Sequence, residues 1–255
     1  WMAEWLAHAR CIIKPVLEST GMVLNPRCYV TRSRVALRKL WRLADAVCFD
    51  VDSTVCTDEG LDELAKFCGV EKEVMAWTNK AMSGGVSFRE ALTARLDIIQ
   101  PTYCQLSQFL QNHKPLLITP NFKKLVSLLK EKNKDVYLVS GGFRSIIEPV
   151  AHILDIPKQN IYANRLKFYY NGDYAGFDTD QLTSESGGKT KVAELLIKKN
   201  RYKNLVMIGD GATDMEASPP AAAFIGYGGN IVREKVKSQA KWFVTDFQHL
   251  IDELM

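Results

Sequence analysis

The sequence predicts an α/β fold: a Rossmann-like, doubly wound and mainly parallel sheet carrying an inserted helical-bundle cap and a β-hairpin flap. Three observations lead there. Past Pro115, short apolar runs alternate with amphipathic stretches, as repeated strand and helix units do. Between the first apolar run and that alternation, Leu61 to about Asn112 is persistently helical in pattern. Lastly, Asn171-Gly172 between aromatic runs is a two-residue hairpin signal.

In chain order, VALRKLWRL (35–43) spaces its apolar residues as a short amphipathic helix, which leads into the buried strand AVCFD (46–50). Gly60 breaks the pattern, leaving Glu59 at a loop–helix junction. Four helical pieces follow: 61–69, 72–85, 87–100 and 102–113. Gly69, Gly84 and Pro101 are their joints, and Ser87 with Glu90 forms a capping box. TPNFKKLVSLLKEKN (119–133) reads as a helix with Thr119 as cap and Pro120 at its first position. DVYLVSGG is a strand ending in glycines, followed by a helix from about Ser145 to Leu154 and the strand IYAN. Beyond the hairpin come the helix SGGKTKVAELLIKKN and the strands NLVMIG, AAFIGYGG and KWFVTD. The core therefore comprises 35–60 and 114–255, the cap comprises 61–113, and 1–34 is an extension outside the folded unit, read as poorly ordered. That extension is arginine-bearing and weakly resembles a transit peptide, although Glu4 and Glu18 interrupt it.

Composition narrows the function. The net charge of +4 is spread along the chain with no basic block, which argues against a nucleic-acid partner. No run approaches the ~20 apolar residues of a membrane span, so a protein free in solution is expected, and the cysteine pattern below makes the expected location cytoplasmic. Cys11, Cys28, Cys48, Cys56, Cys68 and Cys104 contain no CxxC pair, which suits a reducing compartment.

Three strand ends carry the polar groups. AVCFDVDST places Asp50 and Asp52 one residue apart where a strand stops, and alternation points both the same way. Paired carboxylates are costly without a cation between them, so a hard divalent metal is expected there. The second strand ends in Ser140, Gly141 and Gly142, whose hydroxyl and amides suit an anion. The third ends in GDGATD, with Asp210, Thr213 and Asp214, and Lys189 opens the helix before it. Parallel strands deliver all of these to one sheet edge. A metal, a lysine and amide donors around a carboxylate suit phosphoryl transfer, where positioning and charge neutralisation dominate. His8, His113, His152 and His249 are scattered and do not compete for the role.

In this order, DVDST, SGG, Lys189 and GDGATD resemble the motifs of the haloacid dehalogenase superfamily of phosphatases. The strings VDST, DEG, AM, SGGF and GDGATDM resemble the branch acting on O-phospho-L-serine, over about Val35 to Leu254. The resemblance implies that Asp50 is the nucleophile forming an aspartyl-phosphate, and that Asp52 is first acid and then base. It implies one Mg²⁺ held by Asp50, the backbone carbonyl of Asp52 and Asp210. Ser140, Gly141, Gly142 and Lys189 would bind phosphate, with Asp214 supporting the metal shell or Lys189. Glu59 would meet the substrate ammonium and Arg95 its carboxylate, with Met82, Ser83 and Thr213 as further contacts. Ser83 departs from the glycine common in that family, and a side chain there could crowd the substrate. The resemblance further implies a homodimer and the last step of L-serine biosynthesis. Two alternatives stay open: a related phosphatase or phosphotransferase for another small substrate, and a catalytically impaired paralogue kept as a binding partner.

Overall fold

The computed structural model describes residues 35–82, 85–112 and 116–255. Its sheet has six parallel strands in the order β3-β2-β1-β6-β7-β8: β1 Ala46–Phe49, β2 Asp135–Phe143, β3 Ile161–Asn164, β6 Leu205–Gly209, β7 Ala223–Tyr227 and β8 Phe243–Val244. The strand Leu166–Phe168 (β4) pairs antiparallel with Tyr174–Phe177 (β5) in a separate two-stranded sheet. The fold class matches the sequence-based expectation.

β1 sits at the centre, in register with β2 (Phe49 opposite Leu138) and β6 (Phe49 opposite Ile208). Both its faces are covered, which explains a run of apolar residues rather than an alternating one. Ala46 and Cys48 face a cluster with Tyr137, Val139, Leu205 and Met207, while Val47 and Phe49 face the larger core. There Phe49 meets Phe122 edge-on at 4.8 Å between ring centroids, and Phe247 stacks on Tyr227 at 4.2 Å. Burying a ring as completely as Phe49 contributes about 2–3 kcal/mol. Residues 35–42 are helical, and Trp41 Nε1 donates to Leu250 O at 3.0 Å, tying this helix to the far end of the chain. Lys134 Nζ donates to the carbonyls of Arg42 and Ala44, where a helix end leaves acceptors unpaired.

Between β1 and β2 run the helices Gly60–Phe67, Glu71–Met82, Phe88–Ile99 and Tyr103–Asn112. Ser87 and Glu90 make the expected reciprocal capping box. The chain leaves the sheet at 55–57 and returns at 117–119, and these two segments pair with each other. Thr119 N donates to Val55 O and Thr57 N to Leu117 O, both at 2.9 Å, with Cys56 bridged to Ile118.

Two local expectations are corrected. Thr119 does not cap the next helix, which spans Phe122–Glu131 behind Asn121. Its hydroxyl donates instead to Thr54 O at 2.8 Å, because the returning segment is held against the β1 loop. The hairpin turn is not a two-residue Asn-Gly turn: Gly172 N closes onto Tyr169 O at 2.9 Å, leaving Tyr170 and Asn171 central. Only Gly172 takes positive φ (+89°), whereas the expected turn needs positive φ at both central residues.

Candidate active site

Past Phe49 the chain leaves the pleat. Asp50 is extended and is followed by a wide turn, Val51–Val55, with Ser53 at φ +56° and Cys56 N closing onto Val51 O. Strand alternation therefore stops short of Asp52, and it is the turn that brings both carboxylates into one pocket. The pocket is about 530 Å³ and is bounded by the strand ends on one side and by Phe88, Leu92 and Arg95 on the other.

Asp50 is 8% exposed; its Oδ1 accepts from Val51 N and its Oδ2 lies 2.7 Å from Lys189 Nζ. The same ammonium donates to Asp214 Oδ1 at 2.7 Å. Burial works against the charged lysine, but Asp214 and Asp50 outweigh it and hold its pKa above the ordinary value. Asp214 Oδ2 accepts from Gly211 N at 3.0 Å, which leaves that carboxylate enclosed by its own loop. Glycine is required at 209, where a Cβ would lie 2.2 Å from Asp214 Cγ.

Asp52 is held from the opposite side. Its Oδ1 accepts from Gly60 N at 2.8 Å, at the start of the first cap helix, and its Oδ2 has only a long contact of 3.4 Å from Ser140 Oγ. Burial first, and then the Asp50 charge, push this carboxyl up to about 7, against the pull of the Gly60 hydrogen bond. Ser140 Oγ is oriented by Gly142 N at 2.8 Å, and Asn164 Nδ2 pins Gly141 O at 2.8 Å. Phe88 packs over Gly141 so closely that a Cβ there would lie 2.7 Å from its Cζ.

Asp210 is buried, with Thr54 Oγ1 on Oδ1 at 3.1 Å and Arg233 Nε on Oδ2 at 2.7 Å. Arg233 Nη2 also reaches Glu59 Oε1 at 3.5 Å, an oxygen that accepts from Ser53 Oγ at 3.0 Å. Burial, then the Asp50 charge, raise the Asp210 carboxyl, and the same two causes raise Asp214 further. Burial lowers the Arg95 guanidinium, countered by Asp62.

One oxygen from each of Asp50, Asp210 and Asp214 lies within 4.8 Å of the others. Lys189 pairs with Asp50 and Asp214, and Arg233 with Asp210. The donors that converge are hard carboxylate oxygens from three buried side chains, so the residues fit a hard divalent metal. The Asp52 side chain stands outside this cluster.

The pocket brings together Asp50, Asp52, Glu59, Arg95, Gly141, Gly142, Lys189, Asp210 and Thr213. Ser140 and Asp214 stand directly behind it, bonded to Asp52 and Lys189. Met82 ends its helix, and Ser83 lies outside the described residues. Sequence reasoning missed Arg233, Thr54, Phe88 and Asn230. Asn230 Nδ2 reaches Ser53 O at 3.1 Å and Thr119 Oγ1 at 2.8 Å, clamping the β1 turn. The segment GGN…R after β7 offered a signal, since it leaves the same sheet edge as the other polar loops.

Residues 44–221 match the family model of the haloacid dehalogenase-like hydrolases. The chain is 59% identical over 222 residues to phosphoserine phosphatase of Rattus norvegicus, which covers 87% of this chain and 98% of that one. Among solved structures, a phosphoserine phosphohydrolase-like protein from Francisella tularensis superposes with a TM-score of 0.71. It is 31% identical and covers 83% of this chain and 100% of that one. DsGPDH of Dunaliella salina gives a TM-score of 0.75 at 35% identity over 85% of this chain, which spans only 37% of that one.

Proposed function

Because the chain belongs to the haloacid dehalogenase-like hydrolases and, within them, to the phosphoserine phosphatases, we propose that this pocket hydrolyses O-phospho-L-serine to L-serine and phosphate. The observation that carries the mechanism is the contrast between its two leading carboxylates. Asp50 is held by a lysine, whereas Asp52 keeps one oxygen loosely bonded and titrates near neutrality.

We assign Asp50 as the nucleophile. Lys189 and the Val51 amide fix its carboxylate, so little reorganisation is needed before an oxygen attacks phosphorus. As the P–O bond to serine breaks, protonated Asp52 delivers its proton to the departing serine oxygen, leaving a phosphoryl group on Asp50 and an ionised Asp52. Ionised Asp52 then takes a proton from water, whose oxygen attacks the phosphoryl group, releasing phosphate and restoring both side chains. A carboxyl titrating near 7 can serve both halves of the cycle at neutral pH. Ser140, the amides of Gly141 and Gly142, and Lys189 bind the phosphoryl oxygens. Mg²⁺, held by Asp50, the Asp52 carbonyl and Asp210, supplies charge neutralisation when bound. Asp214 keeps Lys189 in place.

At the amino-acid end, Glu59 takes the ammonium and Arg95 the carboxylate, with Thr213 and the Met82–Ser83 segment as further contacts. We extend the reading to a cytoplasmic homodimer acting at the last step of L-serine biosynthesis.

Phosphate release from O-phospho-L-serine, with and without Mg²⁺, tests the proposal, with phosphothreonine and sugar phosphates as competitors. Turnover should need the metal, prefer phosphoserine and vanish in Asp50→Asn with the fold retained. Full activity in that variant would refute the mechanism.

A further inference from the structure

Arg233 holds Asp210 Oδ2 at 2.7 Å while Thr54 occupies Oδ1 at 3.1 Å, so both oxygens of a proposed metal ligand are engaged by the chain itself. The Thr54 contact is a neutral hydroxyl that can coexist with a cation on the same carboxylate. The Arg233 contact is a charge-assisted bond from a full positive charge, and a divalent ion on the same group must either displace it or bear its repulsion. Two cations serve this cluster, and they differ in freedom. Lys189 is clamped between two carboxylates with a side chain 10% exposed, whereas Arg233 is 27% exposed, borders the pocket and stands just before the short helix Glu234–Gln239. Arg233 also has a second anion within reach, Glu59 Oε1 at 3.5 Å, so it can leave Asp210 without becoming an unpaired charge.

We infer that Arg233 is a built-in competitor of the divalent cation: it neutralises Asp210, yields that carboxylate when the metal binds, and thereby sets the metal affinity of the site. The inference rests on Asp210 being a metal ligand, as proposed above. Arg233 acts through Asp210 and Glu59 as a positioning residue.

The test is calorimetric titration of the purified protein with Mg²⁺ alone, without substrate, on the native chain and on Arg233→Gln, Arg233→Lys and Asp210→Asn. Removing the competitor should tighten Mg²⁺ binding by about tenfold in Arg233→Gln, within the usual range of site-to-site coupling. Arg233→Lys keeps a charge without the fork and should fall between that variant and the native chain. Circular dichroism establishes which variants are folded, and the lysine variant decides the question if the glutamine variant is not. An unchanged or weaker Mg²⁺ affinity in folded Arg233→Gln, or no tightening in Arg233→Lys when it alone folds, overturns the inference. Asp210→Asn separates the two readings. Loss of Mg²⁺ binding there alongside an unchanged Arg233→Gln refutes only the competition, whereas retained binding in Asp210→Asn refutes Asp210 as a ligand and the inference with it.

Discussion

Asp52→Asn should stabilise the metal-free protein at alkaline pH while abolishing turnover. The carboxyl is pushed up to about 7 from its ordinary 3.8, because the fold takes this partly buried group largely out of water beside Asp50. From about pH 4 to pH 7 the folded chain therefore holds more of this proton than the unfolded chain, so stability falls as pH rises through that window. Above pH 7 the loss is complete. At 1.36 kcal/mol per pH unit, the ionised side chain costs the fold on the order of 4 kcal/mol. Asparagine removes the charge yet keeps the geometry: its oxygen still accepts from Gly60 N, and its amide can donate to Ser140 Oγ. For a chain of this size the gain corresponds to roughly 8–16 °C in melting temperature. The assay is thermal melting in a chelating buffer at pH 8 and at pH 4, with phosphate release measured in parallel. The gain should be large at pH 8 and nearly absent at pH 4. An equal shift at both pH values, or none at pH 8, would refute the account of Asp52 as a partly buried acid held protonated by its surroundings.

Three further outcomes are expected. Lys189→Met strips the cation from two buried carboxylates, Asp50 and Asp214, and should cost the metal-free fold about 3–5 kcal/mol by urea denaturation; an unchanged midpoint would contradict the pairing. In Gly141→Ala the new Cβ would meet Phe88 Cζ at 2.7 Å, so kcat/KM should fall at least tenfold by the arithmetic of about 1.4 kcal/mol per decade, with partial recovery in the double variant with Phe88→Ala. No recovery would show that the ring is not what the methyl group displaces. Trp41→Phe loses the bond to Leu250 O and should lower stability by about 1 kcal/mol with activity retained, as read by melting and turnover together.

The centre of the site was legible because its residues obey local rules. A parallel sheet sends every strand's carboxyl end to one edge, so Asp50, Ser140 and Asp210 could be grouped from their positions after apolar runs. Lys189 followed because it opens a helix whose start lies beside the β6 loop, where it meets Asp214. Arg233 and Asn230 leave β7 at that same edge, just after Gly228-Gly229, but nothing local names their partners: only the folding of that loop toward the β1 turn brings them to Glu59 and Ser53, 174 and 177 residues away. Thr119 misled for a related reason: a Thr-Pro pair before a helical pattern reads as a cap, but a carbonyl of the β1 turn claimed its hydroxyl. The hairpin was recognised from Asn171-Gly172 and its turn displaced by one residue, since sequence does not say which residues will take positive φ.

The paired segments at 55–57 and 117–119 have a consequence for how such a chain can diversify. The exit from the sheet and the return to it lie one hydrogen bond apart, so whatever is spliced between them starts and ends at nearly the same point. Closing a loop on ends already held together adds only about 0.6 kcal/mol for each doubling of its length. The intervening helices can therefore be lengthened, shortened or exchanged with little burden on the sheet, while Asp50, Lys189 and Asp210 stay on elements outside the splice. Grafting a different bundle between Cys56 and Ile118 would be a way to redirect this phosphoryl-transfer edge to another leaving group.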